Sequence, residues 1–472
     1  MKKFRMCLNF HRPMANTVDA FIPELWSRES LAILEENIVA AGLVHRAFEN
    51  EIKDFGDTVK TRRPSELDAI RMGVNDNVTI QDVSTVDVDV KLNQHVHTSF
   101  IIKDSERSKS FADLVATYLR PAMLGQARYL DQVVLGQYVH FIVNSYAGHL
   151  GGLTDSTAKA YVLEARQKMN TNKAYMQGRN IIVTPSSETE LLKLDLFNSA
   201  EKVGDDGTAL REASLGRKLG FNFFLCQNMP TIVDNSMAKK TGAINNTSGY
   251  AVGSTTLTVD GFTGAVTSGS YVTIAGDMTP HRIASHTETL SNTTQIVLAT
   301  GLRTAVVNDA VVTAYTPGAV NEAGNYAAGY DGAIVVDGFT ASPQVGQMIS
   351  FGTASAQYTV IQGRTGAGVA TPSTTAITLD RPLDAAISND DTVNVGPPGN
   401  YNFGFHQNAL ALVVRPLALP QTGALSGIAT YKNLSMRTVI TYDGNKQGHL
   451  VTLDMLCGIA VLDTDLGVVM HG

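Results

Sequence analysis

The sequence is poor in charged residues, and this bounds the kinds of partner that it can bind. Charged residues make up 17% of its 472 residues, below the roughly one quarter that is usual. The net charge is -7, whereas a dedicated nucleic-acid binder normally has a basic excess. Low charge is typical of a chain whose surface is covered by itself or by neighbours. The composition therefore argues against a specialised nucleic-acid binder and leaves weak contact with nucleic acid open.

Cysteine and long apolar runs are also scarce. Cys7, Cys226 and Cys457 lie far apart, so their spacing predicts neither a disulfide framework nor a paired-cysteine metal site, and it favours the reducing cytoplasm. Apolar runs stay shorter than the roughly 18 residues of a membrane span, so we expect no membrane contact. Residues 1–13 are basic but lack the apolar core of a signal peptide. They are either a basic arm or precede a true start at Met14.

Catalytic motifs are absent or incomplete. His95 and His97 alternate on a predicted strand, but no third metal ligand follows at a useful spacing. Residues 156–159 match SxxK and residues 240–242 match KTG, a pair found in serine penicillin-recognising enzymes. No SDN-type element lies between them, and Ser156 is better explained as a helix cap. We therefore predict a protein that is not an enzyme, with no catalytic residue, cofactor or metal site.

Two helices are predicted from apolar spacing. Ser27 is expected to cap a helix whose apolar side chains Leu31 and Leu34 share one face. A longer amphipathic helix is expected from Pro121 to about Asn144, which corresponds to roughly 36 Å at 1.5 Å per residue. A helix of this length is typical of the spine of a domain.

A two-stranded arm is predicted between residues 58 and 93. Valines at 86, 88 and 90 alternate with Asp87, Asp89 and Lys91, which is the pattern of a strand with one polar face. Residues 58–63 are the expected opposing strand. Because an isolated two-stranded ribbon is marginal in water, the arm must pack either on its own domain or on another subunit. In the second case Asp87, Asp89 and Lys91 are candidate intersubunit contacts.

The composition changes near Asp234 to short β-runs rich in glycine, threonine and alanine. Residues 259–263 (Val-Asp-Gly-Phe-Thr) recur at 336–340, which is 77 residues further along, and residues 269–274 resemble 346–351 at the same offset. An internal repeat of this kind predicts two copies of one small β-unit. We place them at 238–316 and 317–396. We expect residues 238–396 to fold without the rest of the chain and to stand out from it as an insertion.

The segments that flank the repeat resemble the major capsid proteins of short-tailed bacteriophages with the Hong Kong-type shell fold. The resemblance covers about residues 14–234 and 400–470. Two tandem β-modules depart from the single insertion expected in that family. The residues that carry the resemblance are 15–17 (Ala-Asn-Thr), 23–26 (Pro-Glu-Leu-Trp), 111–113 (Phe-Ala-Asp), 118–121 (Tyr-Leu-Arg-Pro), 405–409 (Phe-His-Gln-Asn-Ala), Arg437, 442–443 (Tyr-Asp) and 453–462 (Leu-Asp-Met-Leu-Cys-Gly-Ile-Ala-Val-Leu).

The resemblance implies an α+β chain divided into the parts of that fold. These parts are an N-terminal arm and helix (1–50), an extended β-loop (51–104), a peripheral domain with the spine helix (105–153), an axial domain in two pieces (154–234 and 400–472), and inserted β-modules at 235–316 and 317–399.

The resemblance also implies a function. It predicts a coat protein that assembles with itself into pentamers and hexamers of an icosahedral shell around the phage genome. Scaffolding and portal proteins are the implied partners, together with weak, non-specific contact with packaged DNA. Assembly is expected in the host cytoplasm and residence in the virion capsid. The alternatives are an encapsulin-like compartment shell and a tail or adhesin protein. The long helix and the interrupted domain count against a tail protein.

Overall fold

The computed structural model describes most of the chain. The described residues are 23–46, 58–63, 69–71, 86–104, 114–141, 155–198, 215–232, 238–289, 292–322, 324–339, 343–352, 356–361, 374–420 and 424–471.

The part of the chain before the repeats combines helices with short strands. Its helices are α1 (Pro23–Asn37), α2 (Ala40–Leu43), α3 (Arg120–Gly136), α4 (Asp155–Thr171), α5 (Pro185–Leu192) and α6 (Asp195–Asn198). Its strands are β1 (Thr58–Arg63), β2 (Val86–Lys91), β3 (Gln94–Lys103), β4 (Arg179–Val183), β5 (Arg217–Lys218), β6 (Phe221–Leu225) and β7 (Thr231–Ile232). None of the helices described is long and apolar enough to cross a membrane.

The repeats and the C-terminal part are β-structure. The first repeat holds β8 (Lys239–Ile244), β9 (Thr256–Asp260), β10 (Tyr271–Ile274), β11 (Asp277–Thr289), β12 (Asn292–Leu298) and β13 (Val311–Tyr315). The second holds β14 (Gly318–Val320), β15 (Ile334–Asp337), β16 (Met348–Phe351), β17 (Tyr358–Thr359), β18 (Thr374–Ile377) and β19 (Thr392–Val395). The chain then returns through β20 (Gly399–His406), β21 (Leu410–Arg415), β22 (Leu425–Tyr431), β23 (Leu434–Asp443), β24 (Gly448–Val461) and β25 (Gly467–His471). The protein is therefore an α+β chain.

Helix α1 begins earlier than predicted. It starts at Pro23, whose missing N–H has no partner to lose in a first helical turn. Ser27 thus lies inside the helix, so its predicted role as a cap is wrong. Its hydroxyl is buried, 2.9 Å from the carbonyl oxygen of Pro23 and 2.8 Å from Oγ1 of Thr438. Ser27 therefore connects α1 to the C-terminal sheet.

The spine predicted from Pro121 to about Asn144 is α3 followed by a 3-10 turn (Gln137–Phe141), as far as the described residues reach. A π-helical turn (Val115–Leu119) lies before it and runs directly into α3, so the helical segment begins earlier than predicted. The side chain of Asp131, fully buried on α3, accepts hydrogen bonds from the backbone N–H groups of Val39 and Ala41, each at 3.1 Å. Burial raises the pKa of Asp131, and these hydrogen bonds oppose the rise. Asp131 thus fixes α2 on the spine.

One mixed sheet is shared by both ends of the chain. Its strand order is β25-β20-β4-β6-β5, with β4 and β6 parallel. β4 precedes the repeats and pairs with β20, which follows them. The short strand β7 pairs with the start of β20, where Ile232 faces Gly399. The repeats therefore interrupt a single sheet.

A second sheet has the order β21-β24-β23-β22, with β3 paired along the other edge of β24. Residues 400–472 thus contribute to two sheets, whereas the sequence predicts one axial part for them. The predicted loop at 51–104 is likewise divided: β1 and β2 form a separate ribbon, and β3 belongs to this sheet. The division into domains stays a prediction.

The first repeat is a closed barrel, hereafter barrel 1 (238–316), with the order β10-β11-β12-β9-β8-β13. The second, which we call barrel 2 (317–396), is a six-stranded sheet with the order β17-β16-β19-β14-β15-β18. When β8 to β13 are matched with β14 to β19 in chain order, the paired strands are the same, except that among the described residues no β17–β18 pair corresponds to the pair of β11 and β12. In its place, an isolated bridge joins Val360 and Leu379, which lie just beyond β17 and β18. The two repeats therefore share one topology.

The barrels also share their turns. Asp309 and Asp390 take the left-handed conformation, with φ of 61° and 63°. The hydroxyl of Tyr250 accepts a hydrogen bond from the N–H of Thr258 at 2.8 Å, and that of Tyr326 accepts one from Val335 at 3.0 Å. Aspartate tolerates the left-handed region better than most residues. These equivalent contacts make the sequence repeat a structural one.

The barrels differ in what they pack against. Most of the buried apolar side chains of barrel 1 form a cluster of their own, whereas those of barrel 2 belong to the main core around α3. Three hydrogen bonds join barrel 2 to the spine: Tyr138 to the carbonyl of Gly346 at 3.1 Å, Thr359 to that of Gly136 at 2.8 Å, and Gln137 Nε2 to Asp380 Oδ2 at 3.0 Å. Barrel 2 is therefore part of the body, and barrel 1 is the outlying unit.

Candidate assembly surface

The arm is a two-stranded antiparallel ribbon, and in the described part of the chain β1 pairs with β2 alone. In β2, valines alternate with charged residues, so one face of this strand is apolar. Val90 is fully buried, whereas Val88 is half-buried. The ribbon is thus anchored at its base and less covered further out. A ribbon of this size is marginal without a surface to lie on.

The base of the arm is held by a small apolar cluster. Val90 and Leu92 are buried together with Ala411, Val413 and Leu456 of the C-terminal sheet. Burial of each of the larger side chains in this cluster, the valines and leucines, stabilises the contact by about 1.5–3 kcal/mol. The arm therefore leaves the body from the face formed by β21 and β24.

The backbones of β2 and β24 approach each other closely where the two strands cross. A Cβ atom placed on Gly458 would come within 2.2 Å of the carbonyl oxygen of Lys91. No side chain fits at that separation, so glycine is required where β2 passes over β24. Larger residues at Gly458 would displace the base of the arm.

The predicted contact residues are brought to one strand, and the cross-strand neighbours of its two acidic residues are basic, whereas Lys91 faces Thr58. Asp89 and Lys91 are exposed. The side chain of Asp87 lies outside the described residues. In the register of the ribbon, Asp87 faces Arg62 and Asp89 faces Lys60. Residues directly opposite each other share a face and interact. The acidic residues therefore have basic neighbours within their own ribbon, and their contact with another subunit stays a prediction.

An ion-pair cluster lies just beyond the arm, which the sequence reasoning missed. The carboxylate of Asp454 on β24 accepts a hydrogen bond from Arg437 Nε at 2.9 Å, and its Oδ2 lies 3.3 Å from His95 Nε2. Burial alone would raise the pKa of Asp454, but the hydrogen bonds from His95 and Arg437 hold it below its usual value. This cluster links β3, β24 and β23. The sequence contained one signal for this cluster: Asp454 is the single acidic residue of β24, whose other residues are mostly apolar.

The structure places most of the residues that the sequence suggested for metal binding or catalysis. His95 and His97 are exposed on β3, and the described residues contain no group of three metal-ligating side chains. Residues 240–242 lie within β8, and Lys240 Nζ donates to the carbonyl of Ala265. The side chain of Ser156 lies outside the described residues.

Among the comparisons with known proteins, only those with solved structures found similar chains. No family model and no curated protein matches the sequence. The chain is similar to one in the capsid structure of cyanophage P-SCSP1u, with 10% identity, a TM-score of 0.41 and 91% of each chain covered. A chain of Mycobacterium phage Che8 is 12% identical, with a TM-score of 0.39 over 92% of this chain and 90% of that one. A chain of the mature capsid of bacteriophage PhiM1 is 8% identical, with a TM-score of 0.38 over 92% and 87%.

Proposed function

We propose that this chain is a major capsid protein that assembles with itself into the pentamers and hexamers of an icosahedral phage shell. The observation that carries the proposal is the arm, a ribbon that, in the described part of the chain, is anchored at its base by Val90 and Leu92. Such an element gains stability when a second surface covers it. A neighbouring copy supplies that surface wherever identical subunits surround one another.

Two further features support the proposal. Both ends of the chain share the sheet in which β4 pairs with β20, so the body is one unit with an insertion. The composite spine at 115–141 packs between this sheet, α1 and barrel 2. These features fit the arm, spine and interrupted domain of the Hong Kong-type fold that the sequence resembles over 14–234 and 400–470. The inserted barrels are this chain's own elaboration.

The partners and location follow from the proposal. A shell subunit of this kind contacts other copies of itself, a scaffolding protein and a portal protein. Its net charge of -7 allows weak, non-specific contact with packaged DNA. It assembles in the host cytoplasm and resides in the virion capsid, with no enzymatic activity of its own.

The direct test is assembly. The full chain, expressed alone or with the scaffolding protein of its phage, should form closed shells or tubes in negative-stain micrographs. A monodisperse monomer at high concentration under both conditions would contradict the proposal.

Charge swaps in the arm test how copies meet. Changing Asp87 and Asp89 to lysine places like charges opposite Arg62 and Lys60. A second variant also changes Arg62 and Lys60 to aspartate, which restores opposite charges within the ribbon. If the acidic face contacts another copy, both variants should raise the critical concentration for assembly by about tenfold, equivalent to about 1.4 kcal/mol. Wild-type assembly of the second variant would show that the face pairs only within its own ribbon.

A further inference from the structure

An uncharged groove, lined by both apolar and small polar residues, lies on barrel 1. It is lined by residues 247–251 and 305–308, and we call it the barrel-1 groove. Val307 in this groove is 72% exposed, and Val252 next to it is 64% exposed. The lining residues carry no formal charge. Burial of an exposed valine side chain stabilises a contact by about 1.5 kcal/mol or more. A surface that covers Val307 and Val252 would therefore gain this hydrophobic stabilisation.

Barrel 2 shows that the fold does not need valine at these positions. The bridge between Tyr250 and Val306 corresponds to the one between Tyr326 and Ile387. This correspondence places Ala328 at the position of Val252 and Ser388 at the position of Val307. Both residues of barrel 2 are exposed. The same turn therefore forms with small or polar residues, and the two valines serve something other than the folding of the barrel.

The size of the groove indicates a second copy as the occupant. A separate soluble partner needs about 800 Å² on each side for a stable, specific complex, far more than two valines and their neighbours supply. Copies held in one shell need much less, because tethering gives effective concentrations in the millimolar range. An uncharged groove with a projecting valine is also self-complementary, as a two-fold contact requires.

We propose that barrel 1 of one copy packs on barrel 1 of a neighbouring copy, groove to groove, with Val307 of each lying in the groove of the other. The inference rests on the proposed function, since it needs copies fixed in a shell. It assigns barrel 1 the role of joining adjacent subunits from outside the main body.

The test compares shells of the wild-type chain with shells of a double variant, Val252→Ala with Val307→Ser. These are the residues that barrel 2 has at the same positions, so the barrel should still fold. We expect the variant shells to release subunits at least about tenfold faster in the same denaturant, as one weakened contact predicts. The melting temperature of the unassembled subunit should be unchanged. Val311→Thr is the matched control, because Val311 is 51% exposed, has Thr392 as its counterpart and does not line the groove.

Each outcome decides one point. If the wild-type chain forms no shell, the proposed function fails, and this inference fails with it. If wild-type shells form and the double variant's shells persist equally long, only the inference is overturned. If the double variant melts earlier as a subunit, a cryo-electron microscopy map of wild-type shells decides instead. Facing grooves on neighbouring copies would support the contact, and grooves open to solvent would overturn it.

Discussion

Barrel 1 and barrel 2 have the same strand order and equivalent turns, but they are stabilised in different ways. Barrel 1 closes on a cluster of its own, and its two ends meet where the N–H of Thr316 donates to the carbonyl of Ala238 at 2.8 Å. Barrel 2 places its buried side chains in the main core and bonds to the spine through Asp380. The same topology therefore serves as an independent unit in one case and as a wall of the body in the other.

Excision is the strongest way to break this comparison. Residues 238–316 expressed alone should fold, because their core is internal, whereas residues 317–396 alone should remain largely unfolded, because their core is completed by the spine. Circular dichroism on heating measures the difference, with a cooperative transition expected for barrel 1 only. A cooperative transition for isolated barrel 2 would show that its contacts with the spine are dispensable.

A single buried carboxylate sharpens the comparison further. Asp380 accepts hydrogen bonds from Gln137 Nε2 and from the N–H of Thr359, and its counterpart in barrel 1 is Ala299. Asp380→Ala should lower the free energy of unfolding of the subunit by about 2 kcal/mol, since it removes the acceptor of the Thr359 N–H and the shorter of the two hydrogen bonds that Gln137 Nε2 donates. Denaturant unfolding measures this.

Barrel 1 forms with alanine at this position, so the fold of the unit does not require the carboxylate. Ala299→Gly in barrel 1, where the N–H of Ala299 donates to the carbonyl of Arg282 in the same barrel, is the control for a local change in the strand. A loss below about 0.5 kcal/mol for Asp380→Ala would mean that the carboxylate contributes little to holding barrel 2 on the spine.

The smallest expected effect concerns the turn that both barrels share. Asp309→Ala and Asp390→Ala should each lower the free energy of unfolding of the unit that they belong to by about 1 kcal/mol, because alanine pays more than aspartate in the left-handed region. The two losses should be equal if the barrels share their fold-determining contacts. Unequal losses, measured by denaturant unfolding, would show that the turn is supported differently in the two settings.

Much of the local structure could be predicted from the sequence, because it depends on short periodic patterns. The alternation at 86–92 predicted a strand, and β2 occupies Val86–Lys91. The repeat of residues 259–263 at 336–340 predicted paired β-units, and both copies are six-stranded units that share most of their strand pairs. Left-handed turns and alternating strands are encoded by residues that are neighbours along the chain.

What could not be predicted depends on residues distant in sequence. The cap assigned to Ser27 was wrong because α1 already begins at Pro23, and the partner that its hydroxyl has instead, Thr438, is more than 400 residues away. The position of β3 beside β24 and the unequal burial of the barrels are likewise decided by tertiary packing. For the candidate surface, the polar strand was predictable, but the register that sets Lys60 and Arg62 opposite its acids was not.

The point where the chain leaves and re-enters its sheet has a consequence for the history of the gene. Ile232 and Gly399 face each other as neighbouring residues of β7 and β20. The intervening chain enters and leaves the sheet at that short ladder, so a change in its length leaves the sheet's own pairing untouched. Barrel 2 is held in addition by the spine, whereas most of the core of barrel 1 is its own, so barrel 1 is the copy that the body can gain or lose at the smaller cost in folding. The copy with the internal core can also carry exposed valines where the other has alanine and serine.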